Sequence, residues 1–263
     1  MADLSALREF APHRRVGLRR RFYLACHAGV ARVPTPCVLC QGRAKGGGLC
    51  QFCHAAVLRS MLEGQPRCPV CCLVLDAHQQ CSDCASRQPV FDRIIAAFDY
   101  APPGDLLIHY LKAGRRFTSA GMLAGLLAGA VRQAAPALPQ GTILVPVPSS
   151  RASILARGFN PAAEIARSLS RQLNIACRPE FLLRVQEGIR QTHLKRTERT
   201  HSVQSLYACS GRMDNASIAV VDDVLTTGST LHSIAQAFKA AGASSVYGLV
   251  LARTPYRYGA ADA

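Results

Sequence analysis

Eight of the chain's twelve cysteines fall into two copies of one pattern, C-x2-C-x9-C-x2-C, set 31 residues apart. The first copy holds Cys37, Cys40, Cys50 and Cys53, and the second holds Cys68, Cys71, Cys81 and Cys84. A C-x-x-C turn puts two thiolates on one side of a tight bend, and two such turns supply the four sulfurs of a closed tetrahedral site. Zinc suits that donor set best, with iron the minor competitor. No coordination position stays open for chemistry, so two structural zinc sites are expected. Each repeat can close its own site, or the first and third pairs can share an ion. The short loop inside each repeat favours the first arrangement. His54 and His78 are alternative ligands that four thiolates make unnecessary. Residues 34–88 are too poor in large apolar side chains to build an independent core, so metal must staple them into a double zinc ribbon. Cys26, Cys72, Cys177 and Cys209 are left over and are expected to behave as small buried hydrophobes.

Paired thiols of this kind suit metal in a reducing compartment far better than disulfides. Met1–Phe10 lacks the basic start and apolar run of a secretory signal. The longest apolar stretch, Ala120–Val131, falls short of the roughly 20 residues that a membrane span needs and reads as a core helix. A cytoplasmic protein with no membrane segment is expected. The net charge of +15 draws polyanions, either a phosphorylated sugar or nucleic acid; a merely solvated basic surface explains it equally well. Residues 1–33 carry seven arginines against Asp3 and Glu9 and form a basic arm. A targeting peptide, a contact with nucleic-acid phosphates and a solvated tail are all open for it, the last being commonest.

Beyond Gln88 the pattern changes to apolar runs alternating with helical periods. That predicts an α/β domain over 89–263, a mainly parallel sheet with flanking helices. Its strongest chemical signal is the run Ile218-Ala219-Val220-Val221-Asp222-Asp223-Val224-Leu225-Thr226-Thr227-Gly228-Ser229-Thr230. Four apolar residues predict a buried parallel strand, with an acid pair at its carboxyl end, where open α/β sheets bind ligands. Thr226–Thr230 then offers hydroxyls and amides ahead of a helix whose apolar face is Leu231, Ile234, Ala235, Phe238 and Ala241, a setting for phosphate. Singly, the acid pair could be solvated and the turn ordinary capping. Upstream, the strand Ile143–Pro148 leads into a loop that carries Arg151, Arg157 and Gly158, then to a helix capped by Asn160 with Pro161 at its first position. Guanidinium forks there can bind pyrophosphate or be plain surface charge. Lys112, ending an apolar helical segment, is a further candidate for a phosphate contact and equally a solvated helix-end lysine.

The run 218–230 resembles the phosphoribosyl-pyrophosphate binding motif of type I phosphoribosyltransferases at every position. The whole chain resembles the ComF/GntX family of competence-associated proteins, which join a cysteine-rich zinc module to such a domain. Further matches are Leu107–Lys112 with Gly114-Arg115, Val145–Pro148, Arg157–Asn160, Gln191 with Leu194, Glu198-Arg199 and Leu251–Arg253. The resemblance implies that Asp222 and Asp223 hold ribose hydroxyls and that Thr226, Thr227, Gly228, Ser229 and Thr230 cradle the 5-phosphate. It favours Arg151, Arg157 and Gly158 as pyrophosphate binders, and implies magnesium carried with the ligand. Two positions depart from the family pattern, Ser202 and Pro161, both at the expected rim. If the domain is an enzyme, it displaces pyrophosphate from the anomeric carbon of ribose through a cationic state, with the carboxylates steadying the charge. The sequence names no acceptor base. The rival expectation is a DNA-handling or adaptor factor of DNA uptake that binds single-stranded DNA, with the zinc module docking a partner such as a helicase. Few aromatic platforms and no tryptophan predict that such binding is weak and salt-sensitive.

Overall fold

The computed structural model of the chain describes residues 33–62, 64–86, 88–113, 119–185 and 206–255, Ala113 by its backbone alone. Nearly all of the basic arm, and Cys26, Gly114, Arg115, Gln191, Leu194, Glu198, Arg199 and Ser202, lie outside these residues. The chain divides into two compact units, Met1–Gln51 and Phe52–Ala263.

In the first unit β1 (Pro34–Pro36) and β2 (Arg43–Lys45) pair antiparallel, with Pro34 opposite Lys45 and Pro36 opposite Arg43. The turn between them is closed by the Cys37 N–H donating to the Gly42 carbonyl at 2.7 Å and the Gln41 N–H donating to the Cys37 carbonyl at 3.0 Å.

The helix α1 (Gln51–Leu62) begins at the last residue of the first unit, and α2 (Ser82–Ser86) lies in the second. There follow β3 (Arg93–Asp99), α3 (Gly104–Ala113), α4 (Ser119–Gln133), β4 (Ile143–Pro146), α5 (Arg151–Arg157), α6 (Pro161–Leu173), β5 (Ala176–Cys177), β6 (Leu182–Arg184), β7 (Tyr207–Cys209), β8 (Ser217–Leu225), α7 (Ser229–Ala240) and β9 (Ser245–Arg253). Five strands form one sheet in the order β3-β9-β8-β4-β5, every neighbouring pair parallel, as the run of βαβ signals predicts. β6 and β7 form a separate antiparallel pair.

The sheet is buried on both faces, which is why its central strands read as continuous apolar runs. Ile218, Ala219, Val220 and Val221 of β8 are all fully buried. Successive side chains alternate between faces. Ile94, Ala96, Ile218, Val220, Val246 and Val250 enter a core with Leu231, Ile234, Ala235 and Phe238 of α7. The helices α4 and α6 pack on each other; α4 also packs on β3 and β9, and α6 on β4 and β8. Ala120–Val131 is thus the core helix expected. Gly248 lets α7 approach β9 closely, because a Cβ there would collide with Cδ2 of Leu231.

The same core contains Cys68, Cys71, Leu73 and Cys81 of the second cysteine repeat. Val70, inside that repeat, accepts a 2.7 Å hydrogen bond from the Ile94 N–H on the outer strand β3. Arg67 and Asp99 of β3 form a two-pronged ion pair at 3.0 and 2.7 Å, and Arg67 also donates to the carbonyls of Cys72 and Ser60. The leftover cysteines differ from expectation, since Cys72, Cys177 and Cys209 are only half-buried.

Candidate functional site

Each repeat gathers its own four sulfurs. Cys37, Cys40, Cys50 and Cys53 form one quartet and Cys68, Cys71, Cys81 and Cys84 the other, each with all ligand atoms within 4.8 Å of one another. In the second, Cys71 and Cys81 approach to 3.3 Å and Cys68 and Cys84 to 3.7 Å; in the first, Cys40 and Cys50 lie 3.7 Å apart. Four sulfurs at about 2.3 Å from a tetrahedral zinc would be about 3.8 Å apart, so both quartets fit that ion. Backbone N–H groups point at sulfur as well, from Cys50 to Cys37 at 3.4 Å and from Cys71 to Cys68 at 3.5 Å. Burial opposes ionisation of Cys37, but the amides of Cys40, Cys50 and Leu39 outweigh it and bring the thiol down to about 6. Burial pushes Cys71 up to about 12, and it raises Cys84 too, with the neighbouring sulfurs adding to both shifts. Four thiolates so close repel one another unless a cation sits among them, which is the condition a structural zinc meets.

The acid pair lies at the carboxyl end of the central strand β8. Contrary to the short strand expected, β8 continues through it, with Asp222 paired to Val250 and Val224 to Ala252. The extra length holds both carboxylates on a rigid strand. Asp222 is half-buried, and burial together with the charge of Asp223 raises its carboxyl to about 7, against lowering by the Asp223 amide and by Lys112. The Asp223 N–H donates to Asp222 Oδ1 at 2.8 Å. Lys112 Nζ, from the last turn of α3, sits 3.0 Å from Asp223 Oδ2.

Past β8 the chain turns through Thr226–Gly228 into α7. Gly228 adopts φ 75° and caps the helix without any side-chain hydrogen bond. Thr227 Oγ1 donates to Ser229 Oγ at 3.1 Å and accepts from the Ser229 N–H at 3.4 Å. Thr226, Thr227, Ser229 and Thr230 are exposed. A small pocket is lined by Asp222, Thr226, Gly228, Ser229 and Thr230 together with Val147 after β4. Asp222 and the hydroxyl turn therefore meet, at a helix start whose dipole favours an anion, while Asp223 does not line this pocket.

The arginine stretch is a helix rather than the loop expected. Ser150 caps α5, its hydroxyl accepting from the Ser153 N–H, and Gly158 ends it at φ 83°. Those two capping residues carried the signal. Arg151 at its start is exposed and Arg157 at its end half-buried; Arg151, Arg157 and Gly158 do not line the pocket that Asp222 shares with the turn. Asn160 caps α6 as expected, accepting from the Ala162 N–H, while its Nδ2 donates to the Val147 carbonyl at 2.9 Å.

One residue with a large structural part, Arg253, was legible only as a family match. It ends β9 at 2% exposure. Its Nη1 donates to the carbonyls of Thr226, of Leu225 at 3.4 Å and of Thr254 at 3.0 Å. Nε donates to the Cys71 carbonyl at 3.2 Å, and Nη2 meets Asp83 Oδ2 at 2.6 Å.

A parallel sheet of this order, ending at its centre in an acid pair and a hydroxyl-rich turn, defines a phosphoribosyltransferase-type domain. The sequence profile described as "Phosphoribosyl transferase domain" matches residues 152–263. The chain belongs to the ComF/GntX family. It is 33% identical over 229 residues to the DNA utilization protein YhgH of Escherichia coli O157:H7, covering 84% of this chain and 98% of the relative. To Competence protein F of Haemophilus influenzae it is 30% identical over 228 residues, covering 82% and 96%. The hypoxanthine phosphoribosyl transferase of Trypanosoma cruzi superposes with a TM-score of 0.31 at 16% identity, over 56% of this chain and 71% of that one. Among the described residues, no helix is long and apolar enough to cross a membrane.

Proposed function

We propose that the pocket at the end of β8 binds phosphoribosyl pyrophosphate, or a related ribose phosphate, together with magnesium. The observation that carries this reading is the meeting of Asp222 with Thr226, Gly228, Ser229 and Thr230 around one pocket at the start of α7. The turn's hydroxyls and the amides of the helix start serve the 5-phosphate. Asp222 and Asp223 serve the ribose hydroxyls and are the residues that would meet magnesium, which supplies positive charge against the pyrophosphate. Lys112 already neutralises Asp223, and its ammonium can move to pyrophosphate once the ligand brings a cation. Arg151 and Arg157 would reach pyrophosphate from α5. With its carboxyl near 7, Asp222 is part protonated at neutral pH, so magnesium-dependent binding should tighten between about pH 6 and 8 as that proton leaves. Calorimetric titration and a thermal-shift assay with phosphoribosyl pyrophosphate and magnesium test the reading, with D222N/D223N expected to abolish both signals. No signal from the unaltered protein would sink it. Pyrophosphate release across candidate acceptors then asks whether binding leads to transfer.

A second reading has its own support. The net charge of +15 and relatives whose names are DNA utilization protein and Competence protein F favour a factor that handles single-stranded DNA during uptake, its zinc module docking a partner such as a helicase. Binding that falls steeply with salt is expected. Competition between oligonucleotide and phosphoribosyl pyrophosphate would place both at one site. Zinc held by reduced thiolates suits the cytoplasm for either role.

A further inference from the structure

Arg253 touches both a cysteine quartet and the hydroxyl turn. Its guanidinium is almost wholly buried. On one side it holds the backbone of the metal ligand Cys71 and the carboxylate of Asp83, which sits between the ligands Cys81 and Cys84. On the other it holds the carbonyls of Leu225 and Thr226, where β8 gives way to the turn. Phe91 makes a second bridge. It belongs to the core that takes in Cys68, Cys71 and Cys81, and its ring edge lies 3.7 Å from where a Cβ on Gly228 would stand. The space between holds about 30 Å³ and is lined by Cys71, Asp83, Cys84, Thr227, Gly228 and Arg253 among others. A void this small has room for about one water, so the quartet and the turn are near neighbours.

We propose that Arg253 is a positioning residue that couples metal occupancy of the second cysteine quartet to the geometry of the ligand turn. The inference rests on the ribose-phosphate reading above. A metal in the quartet fixes the Cys71 carbonyl and, through α2, the Asp83 carboxylate. These orient the guanidinium, and the guanidinium fixes the Thr226 carbonyl, so that the amides and hydroxyls of Thr227–Thr230 stay aimed at a phosphate. A planar five-donor fork can hold all these acceptors at once; a lysine ammonium cannot. Coupling between two sites is reciprocal. Ligand in the turn must therefore tighten zinc in the second quartet by the same factor that zinc tightens the ligand.

The test uses the full chain carrying C40S, which removes the first ion, so that only the second quartet is read. Zinc affinity is measured by competition with a chromogenic chelator, with and without phosphoribosyl pyrophosphate and magnesium. The ligand is expected to raise zinc affinity by about fivefold or more. D83N leaves the four thiols of the second quartet and the turn unchanged; it should still bind zinc and ligand separately, with the fivefold link lost. R253K should lose the link and bind ligand more weakly. Ligand that binds but leaves zinc affinity unchanged overturns the coupling alone, as does a full link in D83N. Absence of ligand binding in the zinc-loaded protein overturns the site reading beneath it. A merely structural role for Arg253 would lower stability in these variants without any linkage between the two ligands.

Discussion

The two cysteine repeats share spacing residue for residue, yet the structure uses them differently. In the first, Cys37 is buried while Cys40 is exposed; in the second, Cys68, Cys71 and Cys81 are all buried. The difference comes from residues at equivalent positions between and beside the ligands. Gly42 corresponds to Leu73, which is 1% exposed in the core. Pro36 corresponds to Arg67, which grips Asp99. Phe52, 75% exposed, corresponds to Asp83, which grips Arg253. Ligand spacing specifies that a metal site closes; the side chains around it decide whether that site is also part of a hydrophobic core. The second repeat has become part of the phosphoribosyltransferase-type core.

The largest test of this contrast removes one ligand from each repeat. Structural zinc contributes roughly 10 kcal/mol in small metal-folded peptides, comparable with the whole stability of a domain. C71S therefore takes away both the second ion and a buried member of the core, and the large unit should lose its cooperative thermal transition. C40S should cost one ion by metal analysis while the main transition stays within about 2 °C. Equal losses in the two variants would erase the distinction between the repeats.

Next in size is the Arg67–Asp99 pair, which has no counterpart at Pro36. Both side chains are largely shielded, at 14% and 9% exposure. Removing one partner strands a buried charge, so R67Q is expected to destabilise the large unit by about 3 kcal/mol. The double variant R67Q/D99N should recover part of that loss, because no lone charge remains. Chemical denaturation reads both; a loss in R67Q below about 1 kcal/mol would mean that the pair is solvated like an ordinary surface bridge.

Much of this protein was legible in the chain, for physical reasons that differ from place to place. A four-residue apolar strand followed by acid, hydroxyl and glycine residues can hardly be anything but a parallel strand opening onto a helix start. Asn160-Pro161 declared its helix through its own capping chemistry. The helix α5 was hidden because its exposed Ile154 and Leu155 break the expected apolar face, although Ser150 and Gly158 mark both ends. The continuation of β8 to Leu225 was hidden because charged residues in a strand look like a loop until β9 is seen to pair with them. Arg253 could not be given a task at all. Its partners are 28 and 170 residues away, and no local periodicity encodes such a pairing.

The smallest expected effect falls at Phe52, where the first repeat carries an aromatic ring in place of the anchoring carboxylate of the second. At 75% exposure its ring contributes little buried area, and substitutions at such places stay within about 0.5 kcal/mol. F52A should leave the thermal transition, and the zinc content of both quartets, as they are. The corresponding change in the second repeat, D83A, removes a charge-assisted bond to a buried guanidinium and should cost about 2 kcal/mol or more. Measured side by side, this pair isolates one position of the repeat with the thiols untouched. A loss in F52A approaching that in D83A would mean that the ring is covered in solution, and the contrast between the repeats would then lie in their ligands rather than in what surrounds them.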